Sequence, residues 1–341
     1  MTTPPTLPAT MRAWQYNTTS NGLEQNLQLN TVPLLQPEPN QHLVKVAYAA
    51  INPVDYKPAE IGFISRFLIS KPATPGLDIA GKIVVPATGS GLQAGDLVFG
   101  CTGQSIFAGG SLREYALVSN SKSIVLAPEG MSLKDVSTVG VAGVTALQSL
   151  KPFVKAGDRV VVNGGSGGVG IYAIQIAKAL GCSVTATCSS ANVDLCLSLG
   201  ADHVVDYRKQ DVVEALQKSG PYDHVVDNVG ADWSLYWRAP LYTTARAQYA
   251  FVGASPSFGL VGNVLRASLP SFLGGGQRKL NIITSVSLEK DLIQVADYMQ
   301  AGQVKVVHDS EYSFEHVREA IQKQKTGRAR GKIVIEVDGG P

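Results

Sequence analysis

Residues 159–181 constrain the fold of this 341-residue chain more than any other stretch. A short apolar strand, Arg159-Val-Val-Val162, runs directly into Asn163-Gly-Gly-Ser-Gly-Gly-Val-Gly170. A helical pattern follows from Ile171 to Leu180, Gly181 ends it, and a second strand, Ser183-Val-Thr-Ala-Thr187, comes next. Gly165-x-Gly167-x-x-Gly170 fits the dinucleotide fingerprint, a weak motif alone but specific between a strand and a helix. Glycines make the tight turn, let the backbone approach a pyrophosphate, and let the helix pack on the strand. The free N–H groups and positive dipole end of the helix then face the phosphates. Gly165, Ser166, Gly167, Gly168, Val169 and Gly170 are the predicted cradle.

Strands near 203–206, 224–227 and 248–252, with helical segments between them, continue the alternation. Strand and helix alternating in units of about 30 residues predict a doubly wound parallel sheet, hence an α/β class. The first third reads differently. Short strand-like runs such as residues 43–49 are punctuated by Gly62, Pro72, Pro75-Gly76, Gly89, Gly91 and Gly109-Gly110, which predicts a small β-barrel or sandwich. The length also suits about two domains.

The charge balance, 29 basic against 27 acidic residues for a net +2, argues against nucleic acid as a partner. No run reaches the ~18 apolar residues of a membrane-spanning helix. The start, with three prolines in ten residues, has no signal-peptide pattern and reads as a disordered lead-in. Cys101, Cys182, Cys188 and Cys196 form no C-x-x-C pair and read as small buried thiols, so a reducing, cytoplasmic compartment is expected. The five histidines are scattered and read as surface or strand-end residues rather than ligands.

An acid that binds the ribose 2′-OH of NAD stands about 20 residues past the glycine loop. Here that place reads Thr187-Cys-Ser-Ser-Ala-Asn192, with no carboxylate before Asp194. NADPH (NADP+) is therefore the predicted cofactor, with Ser189 and Ser190 as hydroxyl donors and Tyr207-Arg208 near the adenine end. Helix N-capping is an equal reading of the two serines. No Lys or Arg follows the second strand, so use of both cofactors stays open.

The chain resembles the medium-chain dehydrogenase/reductases, in their zinc-free quinone oxidoreductase and enoyl reductase branch. The motifs that carry the resemblance occur in order from Met11-Arg-Ala-Trp14: Ala50-Ile-Asn-Pro-Val-Asp-Tyr-Lys57, Pro75-Gly-Leu-Asp-Ile-Ala-Gly81, Ala94-Gly-Asp-Leu-Val-Phe-Gly100, Gly109-Gly-Ser-Leu-Arg-Glu-Tyr115 and Gly143-Val-Thr-Ala-Leu147. The resemblance implies a GroES-like barrel at 11–131 and 287–341, interrupted by a Rossmann domain at 132–286, with residues 1–10 as an extension. It implies NADPH-driven hydride transfer to quinones or α,β-unsaturated ketones and aldehydes, and a homodimer as a common arrangement. Similar fungal proteins reduce enoyl groups on carrier-bound polyketides, which is the alternative activity. A binding protein without turnover, structural or redox-sensing, is the alternative of another class.

The zinc members need Cys, His and carboxylate ligands. Their Cys would fall near Asn52–Asp55, and their Gly-His-Glu aligns with Gly76-Leu77-Asp78, which lacks the His, so no metal is expected. Without one, conjugated acceptors suit best: hydride addition gives an enolate that needs an oxyanion donor and then a proton. The resemblance places Asn52, Asp55, Tyr56 and Lys57 near the nicotinamide, with Thr145 on its side of the cofactor loop. Tyr56 and Lys57 are read either as donors or as a pocket wall and a ribose contact. Thr145 is read as a nicotinamide-side contact or as a hydroxyl bonded to its own helix. Val252 and Gly253 are expected beside the nicotinamide, and Gly331 and Lys332 on a strand returning over the cofactor. The apolar residues 257–276 are read as a pocket wall for a lipophilic electrophile, a membrane-surface element, or a covering helix or subunit contact.

Overall fold

A computed structural model describes residues 7–62, 65–105, 107, 109–119, 123–253 and 258–338. The chain divides into two compact units. The first comprises Met1–Val144, Val286–Gln300 and His308–Pro341, and the second Thr145–Ser285 and Ala301–Val307.

The first unit opens with β1 (Thr10–Gln15), β2 (Gln28–Pro33), β3 (Gln41–Ile51), β4 (Asp78–Val85), β5 (Leu97–Cys101), β6 (Tyr115–Ser119) and β7 (Ile124–Leu126). The second unit holds β8 (Arg159–Asn163), β9 (Ser183–Cys188), β10 (His203–Asp206), β11 (Tyr222–Asp227), β12 (Thr243–Phe251) and β13 (Lys279–Ile282). The chain then returns to the first unit with β14 (His308–Ser313) and β15 (Lys332–Glu336).

β3 organises the first unit. Its first half pairs with β6, its second half with β15, and β4 runs along its other side, all antiparallel. A bulge between Val46 and Tyr48 separates the halves, which bends the strand and sharpens its twist. The sheet order is β14-β15-β3-β4-β5-β7 with β6 also on β3, so the last strand of the chain lies between β14 and β3. Val44, Val46, Ile51, Ile79, Val98, Ile333 and Ile335 are among the residues that fill its core.

The second unit carries an all-parallel sheet of order β10-β9-β8-β11-β12-β13. Strand order reverses between β8 and β11, the kind of switch point where α/β sheets hold ligands. Val160, Val161 and Val162 are fully buried, as expected of a parallel strand covered on both faces.

Three boundaries differ from the sequence reading. Helix Leu133–Val136 and the π-helical turn Val139–Gly143 belong to the first unit rather than to the Rossmann domain expected from 132. The reason is burial of Leu133 and Val136 and a bond from the Val141 N–H to Asp78. Residues 301–307 belong to the second unit, because the Gln175 side chain both donates to and accepts from the Lys305 backbone. Of the expected extension, residues 1–6 lie outside the described residues. Ala9 already accepts from the Leu34 N–H and Thr10 opens β1.

All four cysteines are buried free thiols. His42 and His224 depart from the surface reading. Both are buried, His42 accepting from the Ala87 N–H and His224 bonded to the Ser149 carbonyl and stacked on Phe153. Burial draws the His224 imidazole down to about 4. Within 257–276, residue 257 lies outside the described residues. Helix Phe258–Ala267 rests Leu260 and Ala267 on the second unit's core, while Val261, Leu265, Phe272 and Leu273 stay exposed. No helix among the described residues is long and apolar enough to cross a membrane.

Candidate active site

In the first unit, β3 ends at Ile51 and the chain turns through a single 3₁₀ turn, Pro53–Asp55. Pro53 suits the first position of such a turn because its missing N–H needs no partner there. Asp55 bends back so that its Oδ2 accepts the Asn52 N–H at 2.6 Å. The Asn52 side chain donates to Asp78 Oδ2 at 2.8 Å and accepts from the Lys332 ammonium at 2.5 Å. Lys332 also lies 3.5 Å from Asp78 Oδ2 and 3.4 Å from the Ile51 carbonyl oxygen. Asp78 Oδ1 accepts the Val141 N–H at 2.7 Å and faces the Cys101 thiol at 3.5 Å. Asp78 is 0% and Lys332 2% exposed.

Lys332 was expected on a strand returning over the cofactor; its side-chain ammonium is committed to Asn52, Asp78 and Ile51. Its pairing with Asp78 had no local signal, since 254 residues separate the two. Burial pushes Asp78 above the usual carboxylate range despite Lys332. Burial pushes Asp55 further, to about 7, with Asp78 adding repulsion against the pull of the Asn52 N–H and Lys332. Asp55 Oδ1 has no hydrogen-bond partner.

Beside this turn lies a cavity of about 350 Å³, lined in part by Val54, Asp55, Pro58, Ala59, Ile69 and Phe107. That volume falls at the lower end of the ~300–1,000 Å³ typical of small-molecule sites. Of the four predicted residues on this turn, Asp55 lines the cavity, while Asn52, Tyr56 and Lys57 are not among its lining residues. Tyr56 is half-buried against the barrel core, its ring 5.7 Å from the Lys325 ammonium. Burial raises the Tyr56 phenol and lowers the Lys57 ammonium. Gly331, just before β15, adopts φ 95°, a conformation open to glycine.

In the second unit the glycine loop joins β8 to helix Gly168–Ala179. Gly170 is required by packing: a Cβ there would stand 2.2 Å from the Gly164 carbonyl oxygen. Gly167 is open by contrast, with a Cβ meeting only the Gly164 oxygen at 3.5 Å, so its face is free for a ligand. The first-turn N–H groups of Gly168, Val169 and Gly170 have no acceptor within their own helix. Thr187 at the end of β9 fixes the loop's entry, accepting the Gly164 N–H on its hydroxyl and the Gly165 N–H on its carbonyl.

A buried network at the strand ends supports this loop. Asp227, on β11, accepts from the Asn163 amide at 2.7 Å, the Tyr249 hydroxyl at 2.7 Å, and the N–H groups of Val229 and Gly230. The Asp227 carbonyl oxygen takes the N–H groups of Val252 and Gly253. Asn163 in turn accepts from Thr187 at 2.5 Å. The ends of β8, β9, β11 and β12 are thus joined through one carboxylate that sequence reasoning left as a plain strand residue. Thr145 is buried, and its hydroxyl donates to Ser285 at 2.8 Å.

At the far end of the loop, Asn192 donates to Ser166 at 3.0 Å and Ser189 at 3.3 Å. Ser190 donates to Asp206 at 2.6 Å. Asp206, at the end of β10, is an acid the sequence reading did not place here, and the Ser190 hydroxyl holds it below the usual range. Tyr207 is exposed, with the Arg208 guanidinium 5.7 Å from its ring.

A barrel unit and a parallel-sheet unit with a pyrophosphate-type glycine loop define a two-domain nucleotide-dependent oxidoreductase. Comparison with known proteins agrees. The chain matches the family models described as alcohol dehydrogenase GroES-like domain over residues 38–129 and zinc-binding dehydrogenase over residues 199–335. It is 44% identical to a trans-enoyl reductase of Aspergillus terreus, over 98% of each chain. It is 32% identical to a 2-methylene-furan-3-one reductase of Solanum lycopersicum, over 96% of this chain and 80% of that one. The solved quinone oxidoreductase of Coxiella burnetii superposes with a TM-score of 0.84 at 27% identity, over 96% of this chain and 100% of that one. The chain belongs to the medium-chain dehydrogenase/reductase superfamily, in its zinc-free quinone oxidoreductase and enoyl reductase-like branch. It is an oxidoreductase, and its parallel-sheet unit takes a nicotinamide cofactor. The open face of Gly167 and the unfilled first-turn N–H groups fit that cofactor's pyrophosphate.

Proposed function

We propose that the protein is an NADPH-dependent reductase that transfers hydride to a conjugated acceptor, a quinone or an α,β-unsaturated ketone or aldehyde, without a metal. The carrying observation is the chemistry of the barrel turn. Where zinc members place Cys and His, this chain has no Cys in 52–55 and has Leu77, and the adjoining Asp78 commits its carboxylate to Asn52, Lys332 and Val141. A conjugated acceptor takes hydride without a Lewis acid more readily than an unactivated carbonyl, which needs stronger polarisation of its oxygen.

When bound, the nicotinamide supplies the hydride. Gly165–Gly170 hold its pyrophosphate, and Thr145, Val252, Gly253 and Gly331 are assigned to its nicotinamide side. Asn52 is held rigid by Asp78 and Lys332. Asp55, which lines the cavity and retains a proton near neutrality, joins Tyr56 and Lys57 as a candidate source of the proton that the reduced acceptor takes up at its α-carbon. Preference for NADPH is supported by the absence of a carboxylate at 187–192, by Ser189, and by the cationic Arg208 beside Tyr207. Asp206, bonded to Ser190, works against it. The open outer edge of β13 and exposed Ile282 support a homodimer, and the four buried free thiols support a cytoplasmic setting.

A second reading, an enoyl reductase acting on a carrier-bound polyketide, is favoured by the similarity to the Aspergillus terreus trans-enoyl reductase. NADPH absorbance with a panel of quinones, small enones and carrier-linked enoyl chains separates the two readings. We expect oxidation with the small acceptors. Turnover restricted to carrier-linked chains establishes the second reading, and tight NADPH binding with no turnover replaces both with a binding role. Titration should show NADPH binding at least tenfold more tightly than NADH, and equal affinities remove the preference.

A further inference from the structure

The cavity of the first unit is lined by Arg113, a cation that no carboxylate pairs, with a second cation, Lys71, on the ring of the lining Tyr16. The Arg113 Nε is closed off from solvent with no hydrogen-bond partner. No carboxylate among the described residues forms an ion pair with its guanidinium. Gly110 adopts φ 109°, and a Cβ there would stand 2.1 Å from an Arg113 terminal nitrogen. The loop backbone is therefore shaped to seat the guanidinium. Tyr16, on another wall, carries the Lys71 ammonium 3.4 Å from its ring centroid, and Lys71 Nζ is buried without a hydrogen-bond partner. Burial draws Arg113 down to about 10 and Lys71 to about 8.

A cationic N–H closed off from solvent and left without an acceptor costs the fold free energy. A ligand that brings the missing anion removes the cost. Asp55, the carboxyl that lines the same cavity, commits Oδ2 to the Asn52 N–H and retains a proton near neutrality, which limits its repulsion of such a ligand. Much of the remaining lining is apolar, including Val54, Pro58, Ala59, Leu68, Ile69 and Phe107.

We propose that this cavity is the acceptor pocket and that Arg113, backed by Lys71, receives an oxyanion at the end of an apolar acceptor. The substrate class is then a conjugated acyl or quinone compound bearing a carboxylate or a phosphate remote from its reacting double bond. The inference rests on the reductase reading above, and it narrows the acceptor from any lipophilic electrophile to an amphiphilic anion.

Calorimetric titration of the full chain with octanoate, octyl phosphate and octanol tests the pocket without turnover. Either anion should bind at least tenfold more tightly than octanol. The tighter of the two tells whether the oxyanion is that of a free acid or that of a phosphate-bearing arm. Arg113→Met should abolish the preference and Arg113→Lys should keep part of it. Octanol binding as tightly as both anions to the unmodified protein overturns the proposal, as does a preference that survives Arg113→Met in a variant that still melts cooperatively. A parallel assay compares kcat/KM for an enone with a terminal carboxylate and for its methyl ester, with the acid expected to lead at least tenfold. Turnover of neither compound, with the anion preference intact, overturns the reductase reading and leaves the oxyanion site standing.

Discussion

Lys332, fully buried, and Arg113, partly buried with its Nε closed off from solvent, are cations of the same unit, and the protein treats them in opposite ways. Lys332 comes from the last strand and meets Asn52, Asp78 and the Ile51 carbonyl, so each of its donors has a protein acceptor within reach. Arg113 comes from the entry to β6 and meets a cavity. Completion of the first arrangement belongs to folding. Completion of the second is left to something that binds. The contrast separates a polar cluster that holds the active-site turn in place from one that the proposal gives to a ligand.

Breaking the paired cation should have the largest effect. Lys332→Met leaves the Asp78 carboxylate buried without its cation and Asn52 Oδ1 without a donor. Removing one partner of a buried pair costs about 3–5 kcal/mol. Urea denaturation of the variant should show a loss of that order. A loss under 1 kcal/mol would mean that Lys332 contributes little to the cluster, and the contrast with Arg113 would fail.

The acid between the two regions should show the next effect, through pH. Burial raises Asp55 from its ordinary 3.8 to about 7 in the folded state, so between these values the folded protein holds a proton that the unfolded chain has lost. Stability contributed by this group is present at pH 4 and lost as pH rises to 7, by up to roughly 1.4 kcal/mol per pH unit. Asp78 shifts in the same direction while Asp202, Asp206, Asp309 and Glu315 shift the other way. The diagnostic quantity is therefore the stability difference between the unmodified chain and Asp55→Asn, measured from pH 4 to 8. It should move against the unmodified chain up to about pH 7 and then level off. A difference independent of pH contradicts a raised Asp55.

What the sequence made legible was local. Strand, glycine loop and helix lie within 22 residues, and the packing role expected of a glycine there is met at Gly170. The barrel and the absence of a Cys-His ligand pair were legible through ordered motifs. Contacts across the sheets were not. Asp227 joins four strand ends, Asp206 reaches Ser190 from the neighbouring strand, and Lys332 meets Asp78 across 254 residues. None has a spacing that periodicity detects, because β-strand pairing brings distant residues together without leaving a local pattern. Arg113 was visible inside Gly109-Gly-Ser-Leu-Arg-Glu-Tyr115. Its lack of a partner is a property of the packed structure.

The unpaired cation gives the smallest and most discriminating effect on stability, because its sign is unusual. A partly buried arginine that served the fold would destabilise the protein when replaced. Arg113 makes no hydrogen bond or ion pair that its loss would break, and burial draws its guanidinium down to about 10. Arg113→Met keeps much of the apolar stem and removes the uncompensated charge, so in ligand-free protein it should raise stability by on the order of 1 kcal/mol. For a chain of this length a gain of that size moves Tm by only about 1–2 °C, within reach of calorimetry. The sign should reverse when a bound anion is present, because ligand stabilises only the form that binds it. With octanoate at 100 times its Kd, the unmodified protein should gain about 2.7 kcal/mol and the variant far less. A variant that melts lower than the unmodified chain in the absence of ligand would show that Arg113 is paired in solution. The distinction between the two cations would then disappear.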